Sequence, residues 1–513
     1  MYSYVISAML CGISGNMVRV EADISSGLPV FDVVGLAGSE VKESKERVRT
    51  ALRNCGYTLP PSRITVNLSP ANIRKTGNGF DLPIAIAILL AMQRLKNEHF
   101  AETVVIGEMG LFGQIQPVNG VLSMVLKAKE EGFSRFIVPK DNVSEALLVP
   151  EITVYGVENI QELVELINYG AIPEEKAIRQ DTASSGKYNP DFANMNGQLF
   201  LRRACEIAAS GMHNILMIGP PGAGKTMAAK CLPSILPEMT LKEQIEVSKI
   251  YSACGLLDSR QGLMTERPFR NPHHTISDVG LTGGGLYPKP GELSLANSGI
   301  LFLDELPEFR KSTLEVLRQP MEEKRVHISR AYGNYTFPAD FMLVAAMNPC
   351  PCGYYPDPVK CRCDRMSVSR YLGRISQPLL DRIDICTDVE NVSFHELTET
   401  RINESSAEIR KRVEKVHELQ HVRYEKESFL FNSQIPSELV DTYCSLDSKE
   451  RDFMAENYDG LGLTARTYHK VLKVARTIAD MEGSPDIQLK HLKEALHFRG
   501  IDKKFWEVRG YEV

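Results

Sequence analysis

The stretch Gly219-Pro-Pro-Gly-Ala-Gly-Lys-Thr226 follows a short apolar run at 214–218 and precedes a helix-forming segment that begins at Met227. An apolar run of this length is typical of a buried parallel strand, so the order along the chain is strand, loop and helix. The loop fits the pattern G-x-x-x-x-G-K-[ST], in which backbone N–H groups at a helix N-terminus surround phosphates. A chance glycine turn rarely matches this string in full, and we predict that the protein binds and hydrolyses ATP.

Two acidic residues at the end of a second apolar run extend the predicted site. Residues 299–303 lead directly into Asp304 and Glu305. Lys225 of the loop is expected to reach the β- and γ-phosphates, and the Thr226 hydroxyl to hold Mg²⁺ together with Asp304. Glu305 is expected to polarise the attacking water. The predicted nucleotide-binding residues are Gly219, Pro220, Pro221, Gly222, Ala223, Gly224, Lys225, Thr226, Met227 and Asp304.

A third apolar run supplies a polar side chain of a different kind. Residues 341–347 form another predicted buried strand, and Asn348 follows at its end. An amide at this position can orient the attacking water beside the γ-phosphate. Ordinary strand-end caps would explain any one of these polar residues, but three of them in this order favour a catalytic site.

Composition limits the class of protein. A chain of 513 residues is long enough for about three domains, each with its own core. The net charge of −6 gives no global basic field, so contact with nucleic acid must use local patches. The N-terminus lacks the features of a signal peptide and no apolar stretch reaches about 18 residues, which predicts a soluble, cytoplasmic protein with no membrane partner. In that compartment the cysteines should be thiols or metal ligands.

Patterning along the chain predicts three domains. Alternating strands and two amphipathic helices, at 40–54 and 82–95, indicate an α+β domain at the N-terminus. A polar, aperiodic segment follows as a linker, and the strands around the phosphate loop indicate an α/β domain. The remaining residues have a helical pattern. The predicted boundaries are 1–170 for the first domain, 171–190 for the linker, 191–395 for the nucleotide-binding domain and 396–513 for the helical domain.

Four cysteines form a compact cluster in the sequence, immediately after the third apolar run. Their spacing, C-x-C-x₈-C-x-C, brings together four thiols that suit tetrahedral Zn²⁺, although C-x-C is tighter than the usual spacing of zinc ligands. The alternative is an ordered loop with four reduced thiols. The predicted zinc ligands are Cys350, Cys352, Cys361 and Cys363.

Two long motifs, together with the phosphate loop, resemble a known family. Residues 267–285 (RPFRNPHHTISDVGLTGGG) and 290–309 (PGELSLANSGILFLDELPEF) are similar to those of the magnesium-chelatase-like AAA+ ATPases, and the YifB/ComM branch is the nearest in pattern. The resemblance extends over nearly the whole chain. It implies an α/β fold with an AAA+ P-loop NTPase core, an N-terminal Lon-protease-like α+β domain and a C-terminal helical lid. Studied members are hexameric motors, and one is a DNA branch-migration helicase of natural transformation.

The resemblance also implies roles for arginines that act on the phosphates. In residues 377–384 it marks Arg382 as the finger that reaches the nucleotide of a neighbouring subunit, with Arg374 as a weaker candidate. In residues 462–469 it marks Arg466 as the residue that faces the phosphates from the lid. Because such a finger stabilises the transition state, a monomer should be nearly inactive. The plain alternative for each is a surface or ion-paired arginine.

The segment 267–285 is similar to the insert that lines the pore of these rings. Its adjacent histidines, His273 and His274, could act as metal ligands, but neighbouring residues of a strand point to opposite faces, which disfavours a shared metal. A hairpin is predicted at 326–337, with its turn at Gly333-Asn334. The basic residues of the hairpin fit either a DNA backbone or a solvated face, and those near the cysteines fit either DNA or a subunit interface. They are Lys324, Arg325 and Arg330, and Lys360, Arg362, Arg365 and Arg370.

A protease function is not expected from the N-terminal domain. In Lon proteases a serine and a lysine lie in two loops that correspond to residues 75–81 and 119–122. Glycine and leucine occupy those two positions here, so no acyl-enzyme can form. The domain is expected to serve assembly or substrate contact.

Three functions follow for the whole chain. The first is a hexameric DNA translocase or branch-migration helicase acting in recombination or natural transformation. The second is a protein-remodelling or regulatory ATPase. The third is a metallochelatase motor subunit, which the N-terminal domain disfavours because such motors lack it.

Overall fold

The N-terminal part of the protein is built on a seven-stranded sheet. The computed structural model of the protein describes residues 1–96, 100, 102–169, 174–175, 190–258, 262–330, 333–392 and 403–506. The strands of this part are β1 (Tyr2–Cys11), β2 (Ser14–Ser25), β3 (Val30–Val34), β4 (Arg63–Ser69), β5 (Thr103–Val105), β6 (Glu108–Met109), β7 (Ile115–Gln116), β8 (Arg135–Pro139) and β9 (Thr153–Val157). The sheet order is β3-β4-β2-β1-β5-β8-β9, with β1, β2 and β4 antiparallel and the other pairs parallel. The mixture of strands and helices agrees with the α+β prediction.

Helices cover this sheet, and one of them differs from its prediction. They are α1 (Ser39–Asn54), α2 (Asp81–Ala91), α3 (Val121–Glu130), α4 (Val143–Ala146) and α5 (Ile160–Tyr169). The helix α1 buries one face, as its pattern predicts. The prediction that 82–95 is amphipathic is wrong, because α2 ends at Ala91 and every one of its residues is buried. It lies between α1 and the sheet, so neither side reaches water.

A second sheet carries the predicted nucleotide site. Its strands β10 (Ile215–Ile218), β11 (Phe269–Arg270), β14 (Ile300–Leu303), β17 (Met342–Met347) and β18 (Ile385–Asp388) are all parallel, in the order β11-β14-β17-β10-β18. Every residue of β10, β14 and β17 is buried, which explains their uninterrupted apolar sequences. The carboxyl ends of parallel strands meet at one edge, so the groups that follow these strands converge there. The α/β fold is confirmed.

Two short hairpins project from this region. They are β12 (Gly283–Gly284) with β13 (Lys289–Pro290), and β15 (Arg325–Arg330) with β16 (Gly333–Pro338). The predicted turn at Gly333-Asn334 is wrong, because Gly333 pairs with Arg330 and Asn334 pairs with Ser329, so both residues belong to β16. Glycine at 333 therefore begins a strand and does not form the turn.

Helices pack on both faces of the parallel sheet, and further helices complete the C-terminal region. The first group is α6 (Leu199–Gly211), α7 (Lys225–Ile235), α8 (Leu241–Ala253), α9 (Asp278–Thr282), α10 (Glu292–Leu295), α11 (Lys311–Glu315), α12 (Arg318–Glu323), α13 (Arg365–Leu372) and α14 (Gln377–Leu380). The second is α15 (Ser406–Arg423), α16 (Val440–Tyr443), α17 (Ser448–Gly460), α18 (Ala465–Met481) and α19 (Leu489–Trp506). Apolar side chains of α15 and α18 share one core with β10 and β17.

A buried ion pair fixes the C-terminal helices to the sheet. Lys470 of α18 donates to the carboxylate of Asp384 at 2.5 Å, and His213 lies 3.6 Å from the same carboxylate. Burial by itself would raise the pKa of Asp384, but Lys470 and His213 hold it well below its usual range. The position of α18 therefore depends on a charge at the amino end of β18.

The predicted domain boundaries stay predictions. Of the linker 171–190, the structure describes residues 174, 175 and 190, and the boundary at 395 lies outside the described residues. In the part of the chain that is described, no helix is both long and apolar enough to cross a membrane. The cytoplasmic location also stays a prediction.

Candidate functional site

The phosphate loop forms the expected strand–loop–helix unit. Gly222 and Gly224 have φ of +79° and +90°, a backbone conformation that other residues rarely adopt. The helix α7 begins at Lys225, and no side chain caps its first turn. Its N–H groups therefore remain available to an anion, and the helix dipole favours negative charge at the same place.

Lys225 is held inside the loop that precedes it. Its ammonium donates to the carbonyls of Gly219 at 2.6 Å and Pro220 at 2.8 Å, and to Oδ1 of Asn348 at 3.2 Å. Burial lowers the pKa of Lys225 to about 8, and the nearby charge of Asp304 opposes that shift. The predicted lysine and the predicted amide are therefore in direct contact.

The two predicted magnesium ligands are also adjacent. The Thr226 hydroxyl donates to Oδ2 of Asp304 at 2.8 Å, and Oδ1 of Asp304 accepts the backbone N–H of Glu305 at 2.9 Å. A hydroxyl and a carboxylate at this separation form the hard oxygen set that Mg²⁺ prefers. The donor set therefore fits the ion predicted from the sequence.

Glu305 lies at the same edge in a strained backbone conformation. Its φ of 52° and ψ of 47° are in the left-handed region, at a cost of about 1–3 kcal/mol for a residue other than glycine. Its side chain is 60% exposed, and Oε2 lies 3.5 Å from Nδ1 of His274. The carboxylate is thus open to water and has one histidine neighbour.

The sequence pattern did not identify Gln198. This residue has a left-handed backbone, and its side-chain amide donates to the carbonyl of Ala223 at 3.1 Å and to that of Glu390. It borders a cavity of about 470 Å³ beside the phosphate loop, which Phe200, Asn391 and His497 also line. No short motif joins these residues, because Gln198 lies 192 positions before Glu390 in the chain.

Arg382 and Arg466 lie at the opposite edge of the sheet. Asn214, which precedes β10, donates to the carbonyl of Arg382 at 3.2 Å, and β10 spans about 13 Å before the phosphate loop begins. The Arg382 guanidinium contacts Glu322 at 2.6 Å and is mostly buried. Both arginines line one cavity of about 610 Å³, together with Lys470. Neither arginine is brought to the loop of its own chain.

Arg374, the weaker finger candidate, is placed elsewhere. Its guanidinium donates to the carbonyl of Pro307 at 3.1 Å and contacts Glu308 at 2.9 Å. These acceptors come two and three residues after Glu305 in the chain. Arg374 is half exposed and lies near the end of β14 in its own subunit.

The four predicted zinc ligands converge. Their sulfur atoms all lie within 4.8 Å of one another, and the separations include 3.3, 3.6 and 3.8 Å. Tetrahedral zinc with Zn–S bonds of about 2.3 Å places sulfurs about 3.8 Å apart. Burial acts to raise the pKa of Cys352, but N–H donation from Arg362 and Tyr354 lowers it to about 6. The protein's eleven cysteines all lie in the described part, and none forms a disulfide.

The insert and the basic residues are only partly as predicted. His273 and His274 do not lie on a strand, so the argument from opposite strand faces is wrong; their rings are 4.1 Å apart. Lys324 pairs with Asp340 at 3.1 Å, and Arg330 donates to the carbonyl of Gly285 at 3.4 Å. Among the basic residues that the sequence singled out as possible DNA contacts, the exposed ones are Arg325, Arg330, Lys360, Arg362, Arg365 and Arg370.

The two loops that correspond to the protease dyad meet at a cavity of about 360 Å³. Residues 76–80 and 117–119 line it, and Tyr287 and Tyr335 of the nucleotide-binding region close it from the other side. No serine belongs to the described lining. The absence of protease activity from this domain stays a prediction.

Family models and full-length relatives match this chain. Family models of the magnesium chelatase subunit ChlI match residues 191–397 and 20–142, and a model of the C-terminal part of that subunit matches residues 403–499. The competence protein ComM of Haemophilus influenzae is 41% identical over 503 residues, which are 97% of each chain. The chain belongs to the YifB/ComM family of magnesium-chelatase-like AAA+ ATPases.

Other members and one distant relative extend this result. The YifB protein of Escherichia coli is 39% identical over 502 residues, covering 98% of this chain and 97% of its own. A zygotic DNA replication licensing factor of Xenopus tropicalis, mcm6, is 26% identical over 244 residues, covering 44% of this chain and 26% of its own. Membership of this AAA+ ATPase family supports ATP hydrolysis and implies ATP and Mg²⁺ as ligands.

Proposed function

We propose that the protein is a ring-forming ATPase motor, a hexamer by analogy with its family, that moves DNA. The main observation behind the proposal is that the predicted catalytic residues lie at two opposite edges of one sheet. Lys225, Asp304 and Glu305 lie at one edge, whereas Arg382 and Arg466 lie at the other. The arginines serve catalysis only if the second edge faces a neighbouring copy.

Within one subunit, each residue has a separate task. Lys225 and the N–H groups of α7 bind the phosphates, and Thr226 with Asp304 would hold Mg²⁺. When bound, that ion neutralises charge that develops on the phosphate oxygens. Glu305 accepts a proton from the attacking water, and Asn348 orients it.

The neighbouring subunit contributes positive charge. We infer that Arg382 reaches the γ-phosphate across the interface, and that Arg466 acts from the same surface and not from the lid of the subunit that binds ATP. A guanidinium in this role is worth on the order of 10³–10⁵ in rate. Leaving the contact with Glu322 is the movement that assembly would require of Arg382.

Complementation tests the interface. The Lys225→Ala variant lacks the lysine that binds the phosphates, and the Arg382→Ala variant lacks the arginine finger. Each variant alone should therefore hydrolyse ATP very slowly. Mixed subunits should regain part of the activity, because some interfaces combine an intact Lys225 of one subunit with an intact Arg382 of the next. Arg374→Ala, mixed in the same way, is the matched control. Restoration by the Arg374 variant but not by the Arg382 variant would assign the finger to Arg374, and normal turnover by an isolated monomer would refute the shared site.

Similarity to two of the relatives favours DNA as the substrate of this protein. The protein is similar to a competence protein and, more distantly, to a DNA replication licensing factor. Exposed basic residues near the cysteines, among them Arg362 and Arg370, supply a local patch for a phosphate backbone. The overall charge of −6 requires such contacts to be local.

The DNA proposal is tested by the ATPase rate. It should rise with single-stranded DNA or with three-way and four-way junctions, and binding should weaken steeply as salt is raised. Arg362→Glu with Arg370→Glu should reduce both effects while leaving the DNA-free rate unchanged. A rate that no form of DNA alters would favour a protein-remodelling ATPase instead.

We also propose that the four cysteines bind one Zn²⁺. Sulfur separations of 3.3, 3.6 and 3.8 Å support this assignment, and zinc in such sites contributes an apparent ~10–16 kcal/mol. Mass spectrometry of the freshly purified protein should find about one zinc per chain, and its absence would reject the site.

A further inference from the structure

The cysteine loop touches the phosphate loop. Cys350 follows Asn348 by two residues, and the turn between Cys350 and Cys352 continues into Gly353. A Cβ atom at Gly353 would lie 2.5 Å from Cδ of Pro221, and Gly353 has a φ of +86°. The backbone that carries the first two thiols therefore packs directly against the loop that binds the nucleotide.

The cysteine loop has an inner half, which carries Cys350 and Cys352, and an outer half, which runs from Asp357 to Cys363. The outer half makes few packing contacts of its own. Val359 is 89% exposed and the Lys360 side chain 60% exposed, and Asp357 orders this turn by accepting their backbone N–H groups. Cys361 and Cys363 return the chain to the inner half. The turn at Gly353 is held locally by its N–H, which donates to the carbonyl of Cys350 at 3.0 Å, and a cross-link would in addition tie it to the outer half.

We infer that the zinc site acts as a support of the nucleotide site, an inference that rests on the proposed zinc. The metal ties the outer half of the loop to Cys350 and Cys352, and the Gly353 turn then holds Pro221 in place. Asn348, only two residues before Cys350, is held by the same loop. Loss of zinc should therefore weaken nucleotide binding without any change in a residue that contacts the nucleotide.

Three full-length variants test this support. Cys361→Ser should lose zinc and bind a fluorescent ATP analogue about tenfold more weakly. Gly353→Ala should keep one zinc but lose a similar factor, because its Cβ displaces Pro221. Val359→Ala, in the exposed part of the same loop, should alter neither quantity.

The outcomes separate the two proposals. A wild-type protein without zinc rejects the metal site itself. A folded, zinc-free Cys361→Ser protein with unchanged affinity rejects the coupling, even if the metal site is real. Should that variant not fold, Gly353→Ala decides, since wild-type affinity with bound zinc would show that the contact with Pro221 has no function.

A separate observation concerns His274 and Glu305. Nδ1 of His274 lies 3.5 Å from Oε2 of Glu305, whose side chain is exposed. The histidine belongs to the insert 267–285, whose helix α9 is anchored by Asp278 to the Thr313 hydroxyl at 2.6 Å. The insert also meets the β15–β16 hairpin where Arg330 donates to Gly285. His274 is thus the point at which the insert touches the proposed general base.

We propose that His274 is a positioning residue that restrains Glu305 until the insert moves. This rests on the proposed role of Glu305. His274→Ala should raise the DNA-free hydrolysis rate severalfold with an unchanged KM for ATP, because the carboxylate loses the neighbour that restrains it and is free to orient the attacking water. His273→Ala is the matched control, since His273 instead contacts the Thr275 hydroxyl, at 2.9 Å.

The DNA-free hydrolysis rate tests this role whether or not the protein acts on DNA. An unchanged or reduced DNA-free rate in the His274 variant would overturn the restraint, and an equal rise in the His273 variant would attribute it to the insert in general. A fully active Glu305→Gln protein would instead refute the role of Glu305 itself.

Discussion

Raising the pH from 7 to 9 should weaken nucleotide binding, because Lys225 loses its proton in that range. Burial lowers the pKa of Lys225 to about 8, with Asp304 opposing the shift. An amine with this pKa is about 90% protonated at pH 7 and about 10% at pH 9. Since only the ammonium attracts the phosphates, the dissociation constant should increase about ninefold between these pH values.

A fluorescent ATP analogue, titrated at constant ionic strength, measures this change. Lys225→Arg is the control, because a guanidinium stays charged throughout this range. Its affinity should be independent of pH. An unchanged dissociation constant in the wild type, or an equal rise in the arginine variant, would refute the reasoning.

The same pKa shift has the opposite effect on stability. An unfolded lysine keeps its proton to about pH 10.5, whereas Lys225 in the folded, nucleotide-free protein loses it near pH 8. Between these values the unfolded state binds more protons, so the free energy of unfolding should rise with pH. Urea unfolding at pH 8 and pH 10 checks the sign.

Three further predictions concern single side chains. Glu305→Gln should bind nucleotide normally but lower kcat by about 10²–10⁴-fold, as single-turnover kinetics would show. Asp304→Asn should weaken Mg²⁺-dependent ATP binding while Mg²⁺-free binding changes little, which titration with and without EDTA would detect. Asp384→Ala should lower the free energy of unfolding by about 3–5 kcal/mol, because Lys470 would remain buried without its partner; Asp388→Ala, which breaks the more exposed pair with Lys504, should cost less than about 1 kcal/mol in urea unfolding.

The nucleotide site was largely predictable because it is encoded in short, local patterns. The apolar runs before Gly219, Asp304 and Asn348 identify buried parallel strands, and such strands must present their carboxyl ends at one edge. The contacts of Lys225 with Asn348 and of Thr226 with Asp304 follow from that rule. Cysteine spacing similarly predicted a cluster before any distance was known.

Other predictions failed where the surroundings of an element, and not its own pattern, decided the outcome. Residues 82–95 have the composition of a helix, but their sequence does not show that α1 and the sheet would cover α2 on both sides. The reversal assigned to Gly333 depended on strand register, which pairing of Arg330 with Gly333 sets. In each case the local sequence predicted the helix or the hairpin, but it did not predict the residues or elements that pair with or pack against it.

By itself, the sequence determined the phosphate loop, the order of the strands along the chain and the chemical groups at their ends, because backbone preference and burial act over a few neighbouring residues. Only the tertiary structure decided that Gln198 meets the loop, that His274 touches Glu305, and that Arg382 lies at the far edge of the sheet. These contacts join residues distant in the chain, and the packing of whole elements against one another fixes their separations.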